Sequence, residues 1–175
     1  MKIAKPGTFV LLFALLFTAI SAGQSKVSTS GNVKIFSLLD EYIDGECKTV
    51  TSTIDLSQKT IAVSVSVKGF KFEKAVMQKK FNNEENMNTA VYPKAKFVGK
   101  IISEKGLETV GAHKVEIDGE MTIKGVTNKV KTNAIIVVNK DDTVGLDTEF
   151  MLNGLDYDLT LKYVKEMRIT VDLSY

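Results

Sequence analysis

From about residue 28 onward the chain alternates apolar and polar residues with a period of two. In the stretch TIAVSVSV, Ile61, Val63, Val65 and Val67 share one face, and Thr60, Ala62, Ser64 and Ser66 share the other. KVEIDGEMTIK sets Val115, Ile117, Met121 and Ile123 against Lys114, Glu116, Asp118, Glu120 and Lys124. MRITVDLSY repeats the pattern with Met167, Ile169, Val171 and Leu173. Such alternation predicts strands with one face in an apolar interior and one in water. Eight are predicted, at 28–36, 48–56, 60–69, 95–103, 114–124, 127–139, 144–152 and 166–174. Most gaps are short, and Asn139-Lys140-Asp141-Asp142 has the composition of a hairpin turn. The expected fold is therefore all-β, an antiparallel meander. Eight such strands can close into a barrel, which removes exposed edges and can enclose one small ligand. In TNAIIVVN the inward face stays open, because Ala134, Ile136 and Val138 compete with Ile135 and Val137.

Two segments interrupt the alternation. Ser37-Leu38-Leu39-Asp40-Glu41 predicts a short helical turn with Ser37 as its cap. A longer break runs from Phe70 to Pro93, where Val76, Met77 and Phe81 have helical spacing and Lys74, Lys79 and Lys80 face solvent. A polar loop follows, and Pro93 holds Tyr92 extended. A long insertion in a compact domain is often functional. Here it is expected to lie across one barrel end, either as a lid with an apolar underside or as a plain plug.

The first 23 residues have a different character. Lys2 and Lys5 precede an apolar run from Phe9 to Phe17, which exits through Ser21-Ala22-Gly23. That order predicts a secretory signal peptide over 1–23, and hence a periplasmic or secreted domain over 24–175. The run is short for a membrane span, which takes roughly 20 apolar residues. Its removal leaves 152 residues, with 21 basic residues balancing 21 acidic ones. Balanced charge gives no long-range attraction to nucleic acid. Cys47 is the only cysteine, so no internal disulfide is available and stability must come from packing. Its candidate roles are a small buried residue, an interchain bridge or a nucleophile. His113 is the only histidine and lacks neighbours at metal-ligand spacing, so it reads as a strand-entry residue.

GEMTIKGVTNKV, Gly119–Val130, raises the question of a phosphate loop. Such a loop needs backbone amides at a helix start and a lysine followed by Ser or Thr. Here β-branched Val126 and Thr127 lead into a strand-like stretch, so Gly125 reads as a hairpin corner needing a positive φ. Met121 and Ile123 are expected to face inward, with Lys124 and Lys129 in solvent. Hydrolytic chemistry needs a nucleophile beside a base, or two convergent carboxylates. No such pairing is legible: Asp156 and Asp158 are close in sequence, but a polar loop carboxylate is ordinarily solvated. Nothing in the residues argues for an enzyme, a cofactor or a metal.

Three linked segments carry a resemblance. FKFEKAVMQKKF followed by YPKAKFVGKI resembles the YceI family, and GEMTIKGVTNKV is similar to its characteristic strand-and-corner. The matching positions are Phe70, Phe72, Met77, Gln78 and Phe81, then Tyr92, Pro93, Phe97 and Gly99, then Thr122, Gly125, Val126 and Thr127. EFMLNGLDYDLTL adds Phe150, Leu152, Asp156 and Tyr157. The resemblance spans roughly residues 30–175, and one departure is Met87, where related sequences often have tyrosine. It implies an eight-stranded antiparallel lipocalin-like barrel, with the short helix and loop near one end. It also implies a long apolar cavity for an isoprenoid or similar amphiphile.

Physical chemistry supports that expectation, since each buried CH₂ contributes about 0.8 kcal/mol without any charged contact. The residues expected to touch ligand are Phe70, Phe72, Met77, Phe81, Phe97, Met121 and Phe150, with Met77, Met121 and Met151 as an adaptable lining. Two rivals remain at this stage. One is a barrel with a filled core that acts through protein–protein contacts. The other is a small outer-membrane barrel, suggested by the aromatic C-terminus but lacking Trp for an interfacial girdle. No stable membrane insertion is expected, and oligomeric state is not legible.

Overall fold

Hydrogen bonding joins the alternating segments into one antiparallel sheet that curls back on itself. The computed structural model describes residues 25–38, 44–103, 106–159 and 165–175. Its strands are β1 (Lys26–Ser28), β2 (Gly31–Ser37), β3 (Gly45–Cys47), β4 (Val50–Asp55), β5 (Thr60–Ser66) and β6 (Lys71–Phe72). After the helix α1 (Ala75–Asn82) come β7 (Lys94–Ile102), β8 (Gly111–Ile123), β9 (Val126–Val138), β10 (Val144–Leu152) and β11 (Met167–Ser174). Short 3₁₀ turns cover Val67–Gly69 and Gly154–Tyr157. The predicted leader and most of the turn predicted after Ser37 lie outside the described residues. Ser37 itself is the last residue of β2.

Eleven strands reduce to the expected eight. Lys26 of β1 lies opposite Ile54 of β4, and Val33 of β2 opposite Cys47 of β3, in one unbroken register. So β1 and β2 are one strand with a kink, and β3 and β4 another. At the kink the Ser28 hydroxyl donates to the Ser30 carbonyl at 2.7 Å and accepts from the Ser30 amide at 3.0 Å. These bonds satisfy backbone groups that the bend takes out of the ladder. The kinked first strand also pairs with β11 through β2, which closes the ring. Two-residue β6 is a flange on β3.

The β8–β9 corner has Lys124 at φ 51° and Gly125 at φ 83°, with Ile123 opposite Val126. Positive φ at both central residues defines a type I′ hairpin, whose twist matches that of the flanking strands. A strand, not a helix, follows it, so the corner has no helix N-terminus to hold phosphate. A Cβ on Gly125 would also sit 3.0 Å from the Tyr92 ring. Gly125→Ala is therefore expected to cost about 1 kcal/mol or somewhat more, read as a lower urea midpoint at unchanged slope.

The pairing also resolves β9. Ala134, Ile136 and Val138 are buried, whereas Ile135 is 42% exposed. Ile136 lies opposite Leu146, which is itself buried, and that register sets the whole strand's faces. Lys, Glu and Asp rows face outward, where Lys131 pairs with Glu116 at 2.8 Å. On the same outer face Asp147 and Asp172 lie directly opposite one another. Partial burial, and then the Asp172 charge, hold the Asp147 carboxyl above its ordinary range. A raised carboxyl destabilises the fold at pH values where the unfolded chain would be ionised. Asp147→Asn is thus expected to stabilise by about 0.5 kcal/mol at pH 7. The gain should vanish below about pH 4, where the unfolded aspartate is also protonated. Urea unfolding at pH 7 and pH 3 checks it.

Candidate ligand cavity

The inward rows differ between the two ends of the barrel. At the end bearing the β5–β7 side of the lid, Val63, Val65, Phe97, Met121 and Phe150 are only partly buried although they face inward. At the other end Ile54, Leu107 and Ile136 have no exposed surface, and Val144 and Ile101 have 1–2%. Inward-facing residues that keep accessible surface border empty space. That space is a cavity of about 140 Å³ within an apolar region of about 1070 Å³ that takes in its open mouth. The hollow runs inward from the mouth as far as Ile117, Leu146 and Leu173, and the end beyond them, around Ile54, Leu107 and Ile136, is packed.

Local backbone features shape the hollow. Gly99 and Gly119 are opposite one another on β7 and β8, and both face inward. A Cβ at either would lie 2.7 Å from the Phe97 ring, so their bareness lets that ring lie along the wall instead of across the barrel. Thr132 and Thr148 are polar side chains among the lining residues. They stand 3.0 Å apart, and the Thr148 hydroxyl donates to the Asn133 carbonyl at 2.8 Å. With their hydroxyls engaged in this way, they add little polarity to the wall.

The insertion covers the mouth. Phe81 of α1 packs edge-on against Phe70 at 5.6 Å and tilted against Phe72 at 4.8 Å. Gly45 makes room for Phe72, since a Cβ there would sit 2.7 Å from its ring. The loop after α1 folds back and caps the helix's free carbonyls. Asn86 donates through Nδ2 to the Lys80 carbonyl at 2.6 Å, and the amides of Met87 and Thr89 donate to the Phe81 and Asn82 carbonyls. This clasp buries Asn86 and holds Met87, 7% exposed, against the cavity.

Of the residues singled out in the sequence, Phe70, Phe81, Phe97, Met121 and Phe150 line the cavity. Phe72 and Met77 do not: Phe72 packs against Phe81 and is partly buried, and Met77 is partly buried on α1. Met151 departs from expectation more sharply, being 57% exposed. It follows Phe150 in β10, and successive strand residues point to opposite faces, so both cannot face inward. Met87 was missed because an isolated methionine in a polar run has no periodicity to reveal it. Cys47 is fully buried and its thiol lies 3.3 Å from the Ser66 carbonyl. Burial pushes that thiol up from its ordinary range, the opposite of nucleophile activation. Asp156 and Asp158 are both exposed, in and just after the second 3₁₀ turn, while Tyr157 between them is buried.

A closed antiparallel barrel with an apolar hollow at one end and a helix across its mouth belongs to the lipocalin-like architectural class. The chain belongs to the YceI-like domain family, whose model matches residues 19–175. It is similar to Protein YceI of Salmonella newport, with 26% identity covering 93% of this chain and 86% of that one. Its fold is shared by a polyisoprenoid-binding domain from Saccharophagus degradans, with TM-score 0.72 and 9% identity over 86% and 97% of the two chains. Burkholderia cenocepacia BcnA is also similar, with TM-score 0.70 and 17% identity over 83% and 96%.

Proposed function

We propose that this protein binds an apolar lipid, such as a polyisoprenoid or isoprenoid quinone, in its barrel, in the periplasm or outside the cell after removal of residues 1–23. The observation that carries this reading is the hollow half. Apolar residues normally close on one another in a core, and unfilled apolar space forfeits contact energy. A chain lipid restores those contacts and adds about 0.8 kcal/mol per CH₂ withdrawn from water. Phe70, Phe81, Phe97, Met121 and Phe150, with Met87 at the mouth, are the proposed contacts. The name of the Saccharophagus neighbour agrees with the ligand class. Transport, sequestration and storage would all use this binding step.

Organic extraction of the purified protein followed by mass spectrometry is the direct test. An isoprenoid in the extract, or uptake of added polyprenol by stripped protein, is the expected result. A lipid-free protein that takes up none would overturn the reading. The filled-barrel rival loses ground because its interior would have to be packed throughout. The outer-membrane rival requires an apolar band facing outward, whereas the apolar rows here face inward and the Lys and Glu rows outward.

A further inference from the structure

The mouth end carries surface features that the cavity itself does not explain. Val76 of α1 is 65% exposed, Val91 62%, Leu155 51% and Leu38 51%. All four stand on segments bordering the mouth. Val91 adjoins Tyr92, whose ring lies against the β8–β9 corner. Leu155 belongs to the 3₁₀ turn held to that corner by Lys124 and Asn128, which donate to the Asp158 and Asp156 carbonyls. The Leu38 amide donates to the Glu166 carbonyl at 3.1 Å, just before β11.

Charge around this rim is uneven. Residues 67–82 hold five lysines and a single acid, Glu73, in a domain whose total charge balances. Lys68, Lys71, Lys79 and Lys80 are exposed, and Lys94 continues the basic arc at the start of β7. The next acids, Glu84 and Glu85, follow the helix in its polar turn. Val76 and Val91 stand beside this lysine arc, whereas exposed Asp156, Asp158 and Glu166 border Leu155 and Leu38 on the other side. Apolar tips beside lysines suit the interface of an anionic bilayer, where buried aliphatic area and charge attraction add.

We infer that the lid side of the mouth docks on an anionic lipid surface, with Val76 and Val91 entering the headgroup region and the lysine arc on the phosphates. The inference rests on the lipid-binding reading and supplies its route: ligand passes between bilayer and cavity without crossing water. Docked this way, the barrel wall with its Glu and Asp rows stays in solvent.

The chain has no tryptophan, so Val76→Trp in the protein from Gln24 onward, which contains every described strand, gives a single reporter. Its fluorescence is expected to shift to the blue with vesicles of equal parts phosphatidylglycerol and phosphatidylcholine. The shift should be small with phosphatidylcholine alone and should fall as salt rises. Lys79→Glu and Lys80→Glu together should weaken vesicle flotation of the otherwise unaltered chain by at least about 25-fold, from roughly 1 kcal/mol per basic residue removed near an anionic surface. Uptake of detergent-solubilised polyprenol should be unchanged in that variant, and uptake from vesicles should slow. Absence of flotation with anionic vesicles at low salt, or equal flotation of the double variant, overturns the proposal. Flotation without uptake from either source overturns the cavity reading and leaves docking standing, so the two failures are distinguishable.

Discussion

Met121→Trp is expected to abolish measurable uptake of a long-chain polyprenol while leaving the barrel folded. Met121 faces the hollow from β8, directly opposite Phe97 of β7, and is only partly buried. An indole at that point enters existing space, so the strain that accompanies overpacking of a filled core should be small. It displaces on the order of four chain methylenes, worth about 3 kcal/mol at roughly 0.8 each. That is a hundredfold or more in Kd. Val98→Trp is the matched control, because Val98 is 63% exposed on the outer face of β7 and touches no ligand in this reading. Fluorescent-lipid displacement measures both variants, and circular dichroism establishes that both fold. Wild-type affinity in Met121→Trp would place the ligand elsewhere.

The second large effect is on stability, and it comes from the contrast between the two ends. Ile136→Ala removes a side chain with no exposed surface, opposite Leu146 and outside the cavity lining. Truncation there leaves a void and is expected to cost about 2–5 kcal/mol. For a domain of this size that lowers Tm by roughly 6–15 °C. Met121→Ala deletes a side chain of similar length that already borders empty space, so little new void forms. Its expected cost is below about 1.5 kcal/mol. Thermal and urea unfolding of the two variants measure the difference. Equal costs would mean that the interior is filled from end to end, which is what the protein–protein rival requires.

Much of this architecture was legible before any coordinates. The strand predicted at 144–152 has the bounds observed for β10, and the other seven predicted strands match within a few residues. Most of them alternate with a period of two, and burying one face is the arrangement that satisfies such a pattern. Val76, Met77 and Phe81 likewise marked α1, although only Phe81 of the three is buried. The corner at Gly125 was readable because glycine tolerates positive φ at low cost. Its neighbour Lys124 shares the positive φ and gave no sign of it.

Where the sequence fell short, the missing information was non-local. Nothing in Lys26–Ser37 announced a kink, because the kink exists only where one strand must pair with β4 on one side and β11 on the other. The face of β9 was undecidable from five consecutive apolar residues, and Leu146 across the ladder decided it. Phe72 and Met77 were apolar in the right segment, yet Phe70 and Phe81, whose rings meet at 5.6 Å, are the residues of that segment that line the cavity with Met87.

By itself the sequence determined which residues form strands, which face most of them bury, and that a helix interrupts the meander, since these follow from local periodicity and turn chemistry. Tertiary structure alone decided that the interior is packed at one end and hollow at the other. A cavity is the volume left over when side chains from eight strands meet, and no single strand carries that remainder.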